Sequence, residues 1–467
     1  MNADNIRNVY FVGAGGIGMA ALERYFLSRG MKVAGYDRTP SELTADLHRE
    51  GVEICFADDP EVAIPEGFRN PEDTLVVYTP AIPADNRTLG WLRSRGFEIE
   101  KRAQVLGRVT RHTRGLCFSG THGKTTTSSM AAHILHSCKV GCNAFLGGVL
   151  RNYNSNFLLS PTSPWSVIEA DEFDRSFHHL TPWIAVVTAT DPDHLDIYGT
   201  EEAYLESFAH FTELVQPGGA LIVHTGLKLV PRPQPGVRVY SYSRDEGDFH
   251  AENICRRPGD ISFDFVYPGG RIASISLGVP VEVNIENAVA ALAACYLTGD
   301  MDPAAARQAI SSFLGAKRRF EFWLKEPGAN GRVIIDDYAH HPDELKASIA
   351  SVRALYPGRK LTVVFQPHLY TRTRDFHKEF ARALSEADEV ILIPIYPARE
   401  LPIEGVDSQL ILRDVTSPKK RLVERDNLID TIKNSKFEIL LTAGAGNIAD
   451  LVPGIAEAVR SQAGNPA

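Results

Sequence analysis

Short apolar runs recur along the chain, closed by glycine, proline or acidic residues and mostly followed by stretches with helical spacing of apolar positions. The first, Val9–Val12, leads through Gly13 to Gly18 into Met19–Arg29 and then a second run, Lys32–Tyr36. Buried strands alternating with helices predict a doubly wound α/β unit with a parallel sheet. A further strand, Thr74–Tyr78, runs into the turn Thr79-Pro80-Ala81-Ile82-Pro83. A second segment has strands at Gly115–Ser119, Trp165–Glu169, Ile184–Thr188 and Ala220–His224. There follow the alternating, turn-rich Val237–Val279, which reads as extra β structure, and a helix at Asn284–Leu297. The stretch Leu314–Phe320 reads as a linker. Beyond it come strands at Arg332–Asp336, Leu361–Phe365, Glu389–Pro394 and Glu438–Leu441, with helical patterns at Pro342–Leu355, Asp375–Leu384 and Ile448–Val459. The pattern predicts three α/β domains in series, at 1–107, 108–316 and 317–467.

Length agrees, since 467 residues suit about three domains. With 58 acidic against 49 basic side chains the net charge is −9, so the overall balance promises no basic face for nucleic acid or an anionic membrane. A local basic pocket for a small phosphorylated ligand stays allowed. No stretch is apolar for the ~20 residues of a membrane span, and Met1 to Asn8 lacks a signal pattern. The six cysteines are sparse, and Cys138 and Cys142 have no second Cys or His pair at zinc spacing. They read as reduced, packed thiols of a cytoplasmic protein.

Two glycine turns carry candidate chemistry. Gly13-Ala14-Gly15-Gly16-Ile17-Gly18 fits G-x-G-x-x-G between a strand and a helix, with Asp37 about 20 residues on. Its glycines let a diphosphate approach a helix N-terminus, and a carboxylate there can accept from ribose hydroxyls. NAD, FAD or a sugar nucleotide would satisfy it. Gly120-Thr121-His122-Gly123-Lys124-Thr125-Thr126-Thr127 follows a buried strand and opens a helix; it is a phosphate loop shortened by two residues. Backbone N–H groups can cradle phosphate, Lys124 can neutralise β/γ charge, and the Thr125 hydroxyl can ligate Mg²⁺. Carboxylates emerge at two strand ends, Glu169-Ala170-Asp171-Glu172 and Asp191-Pro192-Asp193-His194-Leu195-Asp196, where open α/β sheets place ligands. Asp336-Asp337-Tyr338-Ala339-His340-His341-Pro342 and the run from Phe365 to Arg374 close later strands; Arg372 and Arg374 suit carboxylate or phosphate.

This ordered set, together with Arg318-Arg319-Phe320, resembles the Mur ligase family over the whole chain, and most closely its alanine-adding branch. These are ATP-dependent amide-forming enzymes of peptidoglycan precursor synthesis, and so of cell-wall growth, shape and division. The resemblance implies that UDP-N-acetylmuramate binds at Gly15, Gly16, Ile17 and Gly18, near Asp37, Thr79, Ala81 and Ile82. It implies ATP at Gly120, Thr121, His122, Gly123, Lys124, Thr125 and Thr126, with Asn287, Arg319, Asp337 and His340. It implies two magnesium ions held by Glu169 and His194, the first shared with Thr125, and catalysis by Lys124, His194 and Arg319. His368, Arg372 and Arg374 would face the incoming L-alanine, and three domains would close around the substrates. Several relatives carry a carbamylated lysine beyond the metal-binding histidine; here that region reads Ser207-Phe208-Ala209-His210-Phe211, as in the alanine-adding branch, and the next lysine is Lys228. Leu369 stands where that branch usually has an arginine. Two other classes stay open: a nicotinamide-dependent dehydrogenase, which leaves Gly123-Lys124-Thr125 without a use, and a silent sugar-nucleotide sensor, which has no need of Lys124, Glu169 and His194.

Overall fold

A computed structural model describes residues 6–79, 81–193, 195–328, 330–398 and 400–463. The apolar runs become parallel sheets. The first has five parallel strands in the order Glu53–Cys55, Lys32–Tyr36, Asn8–Val12, Thr74–Tyr78, Glu98–Lys101. Its central strand is buried on both faces, Val9 and Phe11 entering one core and Tyr10 and Val12 the other. That is why it reads as a continuous apolar run.

The second sheet has seven strands, in the order Arg238–Tyr242, Ala220–His224, Pro182–Val187, Arg114–Ser119, Trp165–Glu169, Asn143–Leu150, Ser155–Leu158. Only its last pair is antiparallel. Register places Phe118 beside Glu169, and Ser119 beside Val187. The loop after Ser119, the Glu169 carboxylate and the chain after Val187 therefore leave the same sheet edge. A three-stranded sheet, His250–Arg257, Asp260–Tyr267 and Gly270–Ser276, accounts for the expected extra β structure. The last sheet orders Glu321–Lys325, Val333–Asp337, Ile439–Ala443, Leu361–Phe365, Glu389–Leu392, Lys419–Leu422, with only the first pair antiparallel.

The chain divides into two compact units. One comprises Met1–Asn253, Phe263–Ile275 and Ile285–Phe313; the other comprises Ile254–Ser262, Ser276–Asn284 and Leu314–Ala467. The helix Arg102–His112 spans the position at which the sequence puts its first domain boundary. Two helices differ from expectation. The helix expected from Asp375 starts at Tyr370, because its first turn, Tyr-Thr-Arg-Thr-Arg, carries no apolar periodicity. Ile448–Val459 splits into a 3₁₀ turn, Asn447–Leu451, and the helix Val452–Ala463. Pro453 fits a helix's first turn and no later one. All six thiols are free, and no helix among the described residues is long and apolar enough to cross a membrane.

Candidate active site

The first glycine turn joins Asn8–Val12 to the helix Ile17–Ser28, whose N-cap, Gly16, supplies no capping side chain. The first N–H groups of this helix are therefore suited to an anion. At Gly13 a Cβ would stand 2.7 Å from Thr79 Cγ2, so glycine lets the Thr79–Ile82 turn close over the loop. The Ile82 N–H donates to the Thr79 carbonyl at 3.1 Å, which fixes that turn. Asp37, expected at a ribose, has both oxygens engaged: Oδ2 accepts from the Gly15 N–H at 2.7 Å and Oδ1 from the Thr39 N–H at 3.0 Å. The carboxylate thus braces the loop itself. Beside the turn lies a cavity of about 300 Å³ that Gly16, Gly18 and Thr79 share with Gly147, Glu169 and Asp171. The first glycine turn and the second sheet's carboxylates line one space.

The second glycine turn leaves Arg114–Ser119 and opens the helix Lys124–Ser137. Gly120 adopts φ +139°, and a Cβ there would fall 2.1 Å from Thr188 Oγ1. Only glycine fits both demands. The loop is stitched to the neighbouring strand end: the Thr121 N–H donates to the Ala189 carbonyl at 3.0 Å, Thr121 Oγ1 to the Asp191 carbonyl at 2.7 Å, and Thr188 Oγ1 to the His122 carbonyl at 2.5 Å. His122 itself is exposed, whereas Thr126 is half-buried in the first helical turn. Asn287, on Val283–Tyr296, is buried behind the loop, where its Oδ1 accepts from Thr127 Oγ1 at 3.2 Å.

Lys124 Nζ donates to the Gly120 carbonyl at 2.6 Å and to Glu172 Oε1 at 2.9 Å. Glu172 is 1 % exposed, and its other oxygen is buried without a partner. Burial raises its pKa against the opposing pull of Lys124. Thr125 Oγ1 donates to Glu169 Oε1 at 2.9 Å, and the Gly147 N–H to Glu169 Oε2 at 3.0 Å. Burial raises the Glu169 carboxyl too, opposed chiefly by the Thr125 hydroxyl. Thr125 and Glu169 offer hard oxygen donors, of the kind magnesium shares with water and phosphate. No group of three or more His, Cys, Asp or Glu side chains among the described residues is placed to hold a metal, and His194 lies outside the described residues.

In the second unit, Arg318 and Arg319 have different partners. Arg318 reaches Asp336 Oδ2 at 3.4 Å and the Gly446 carbonyl at 3.4 Å, bonds the Gly444 carbonyl, and lies over the Tyr338 ring. It is a clamp. Arg319 lies 5.7 Å from the centre of the same ring and pulls down the Asp337 carboxyl, which burial raises. His340 and His368 approach with ring centres 6.1 Å apart. Burial lowers both pKa values, helped by Arg372. His340 Nδ1 lies 3.0 Å from the Tyr338 carbonyl, so it is the donor nitrogen and leaves Nε2 as acceptor. His368 Nδ1 and one Arg372 terminal nitrogen are buried without partners. Arg374 does not join them: it is exposed and held by Asp375 at 2.7 Å.

Three contributors go unassigned in the sequence. Glu172 stands among the quoted carboxylates with no signal to set it apart as the partner of Lys124. Thr188 and Gly147 reach the site only through strand register, which no local motif encodes.

Family models match along the chain: "Mur ligase family, catalytic domain" at residues 8–114, "Mur ligase middle domain" at 118–295 and "Mur ligase, glutamate ligase domain" at 318–446. A UDP-N-acetylmuramate–L-alanine ligase of Phocaeicola vulgatus is 57% identical over 458 residues, covering 97% of this chain and 98% of that one. One from Parabacteroides distasonis is 55% identical over 467 residues, 100% of both chains. Among solved structures, a UDP-N-acetylmuramate–alanine ligase from Thermotoga maritima superposes with a TM-score of 0.79 at 26% identity, covering 98% of this chain and 100% of that one. The chain belongs to the Mur ligase family.

Proposed function

We propose that the protein is a cytoplasmic ligase that joins L-alanine to the carboxylate of UDP-N-acetylmuramate, converting ATP to ADP and phosphate in peptidoglycan precursor synthesis. The observation that carries this reading is the shared cavity. It runs from the first glycine turn, fit for a nucleotide diphosphate, to Glu169, which is bonded to Thr125 of the phosphate loop. A dehydrogenase would need only the first of these.

The sugar-nucleotide carboxylate attacks the γ-phosphorus of ATP, forming an acyl phosphate as ADP leaves. The amine of L-alanine then attacks the acyl carbon, phosphate leaves, and the amine proton passes to a base. Lys124, which lies between the Gly120 carbonyl and Glu172, would meet the β- and γ-phosphates, and such positioned charge is the main catalytic resource in phosphoryl transfer. Thr125 and Glu169, with His194, would hold magnesium, which when bound supplies neutralisation of phosphate charge. Asn287 backs the phosphate loop. Arg319 and Arg372 supply cations suited to phosphate or an α-carboxylate. His340 and His368, kept neutral by burial, are the candidates for the base. Steady-state ADP release tests the reading. It should require UDP-N-acetylmuramate and L-alanine together; release without either, or none with both, would contradict it.

A further inference from the structure

We propose that Arg102 is the cation that grips the diphosphate of the sugar nucleotide, an inference that rests on the reading of the first glycine turn as that substrate's site. Arg102 opens the helix Arg102–His112 and is half-buried. Its guanidinium makes no hydrogen bond, ion pair or ring contact with any described residue. Its neighbours are neutralised: Lys101 meets Asp174 at 2.8 Å, and Arg108 meets Glu100 at 2.6 Å. A half-buried guanidinium with no acceptor among the described residues is open to an anion from outside the chain.

Two observations say where that anion sits. Among the described residues, Arg102 is the one cationic residue lining the 300 Å³ cavity beside Gly16, Gly18 and Thr79. A Cβ on Gly18 would lie 2.8 Å from Arg102 Nη1 and 3.1 Å from Cζ, so glycine at this position makes room for the guanidinium. The planar fork is thereby laid against the uncapped N-terminus of the helix Ile17–Ser28. Fork and backbone N–H groups converge on one side of the cavity, an arrangement matched to phosphate oxygens. Glu169 and Asp171 line the same cavity, and no ion pair joins either of them to Arg102.

Calorimetric titration of the full chain with UDP, which carries the diphosphate but no sugar carboxylate, tests the assignment. Arg102→Ala should weaken UDP binding about 10- to 100-fold, the value of a charge-assisted fork to phosphate. Arg102→Lys should recover part of the loss as a point charge. Gly18→Ala, which displaces the guanidinium, should weaken UDP in the same direction. A non-hydrolysable ATP analogue should bind all three variants as it binds wild type, showing that the fold is intact. UDP affinity unchanged in Arg102→Ala overturns the inference. So does a loss confined to UDP-N-acetylmuramate, which would place the guanidinium on the sugar carboxylate instead. A wild-type protein that ignores UDP would bring down the sugar-nucleotide reading itself.

Discussion

At the scale of single residues, the phosphate loop is the most constrained part of the chain. Lys124→Ala should lower kcat by on the order of 10²–10³, as removal of one preorganised electrostatic group does. Its unfolding curve should stay close to wild type. The reason is Glu172, which loses its partner but already has a raised pKa and can take a proton in place of the lysine. Turnover near wild type would remove Lys124 from the phosphates. Gly120→Ala should act oppositely, through stability: the new Cβ meets Thr188 Oγ1 at 2.1 Å, at φ +139°. A loss of about 1–3 kcal/mol in urea unfolding is expected, and an unchanged midpoint would contradict it. The sequence made Lys124, Thr125 and Glu169 legible because they sit inside local motifs at strand ends. It gave no sign of a second task for Asp37, whose spacing suggested a ribose and whose oxygens also brace Gly15 and Thr39. Arg102 was invisible, since its meaning depends on the absence of a glycine side chain in another element.

Elements were legible where both faces are buried. Lys32–Tyr36, Thr74–Tyr78, Trp165–Glu169 and Leu361–Phe365 have the bounds their apolar runs suggest. The strand Glu98–Lys101, half-buried and mostly charged, gave no such run. The helix Lys124–Ser137 links the phosphate loop to a buried polar contact at its far end. There His133 lies between Tyr153 Oη at 2.7 Å and Ser312 Oγ at 3.0 Å. Burial, helped by His136, pushes the His133 pKa down to about 4 from 6.5. The unfolded chain binds this proton first, so the neutral imidazole stabilises the fold fully above about pH 6.5 and progressively less down to about pH 4. The loss amounts to about 3 kcal/mol. His133→Gln, which keeps a hydrogen-bonding side chain but cannot titrate, should therefore show a shallower fall in melting temperature between pH 6.5 and 4. Parallel curves for variant and wild type would contradict this.

For the whole molecule, alternating strands and helices foretold a mixed α/β architecture with parallel sheets, and the ordered motifs foretold the family. The division into two compact units was not foretold, because segments of Ile254–Ser262 and Ser276–Asn284 join the second unit out of sequence order. Local periodicity carries no record of such returns. On the proposed function, the contacts to the acceptor likewise depend on residues that are brought together only in the folded chain. Arg372, with a buried unpartnered nitrogen beside neutral His340 and His368, suits the α-carboxylate of one small amino acid. Arg374, tied to Asp375, adds no second fork there. Rejection of glycine then rests on one methyl group and should be only ~10- to 200-fold. The most direct measurement is ADP release with UDP-N-acetylmuramate and either L-alanine or the tripeptide L-alanyl-γ-D-glutamyl-meso-diaminopimelate. The account predicts fast turnover with L-alanine and little with the tripeptide; faster turnover with the tripeptide would contradict it.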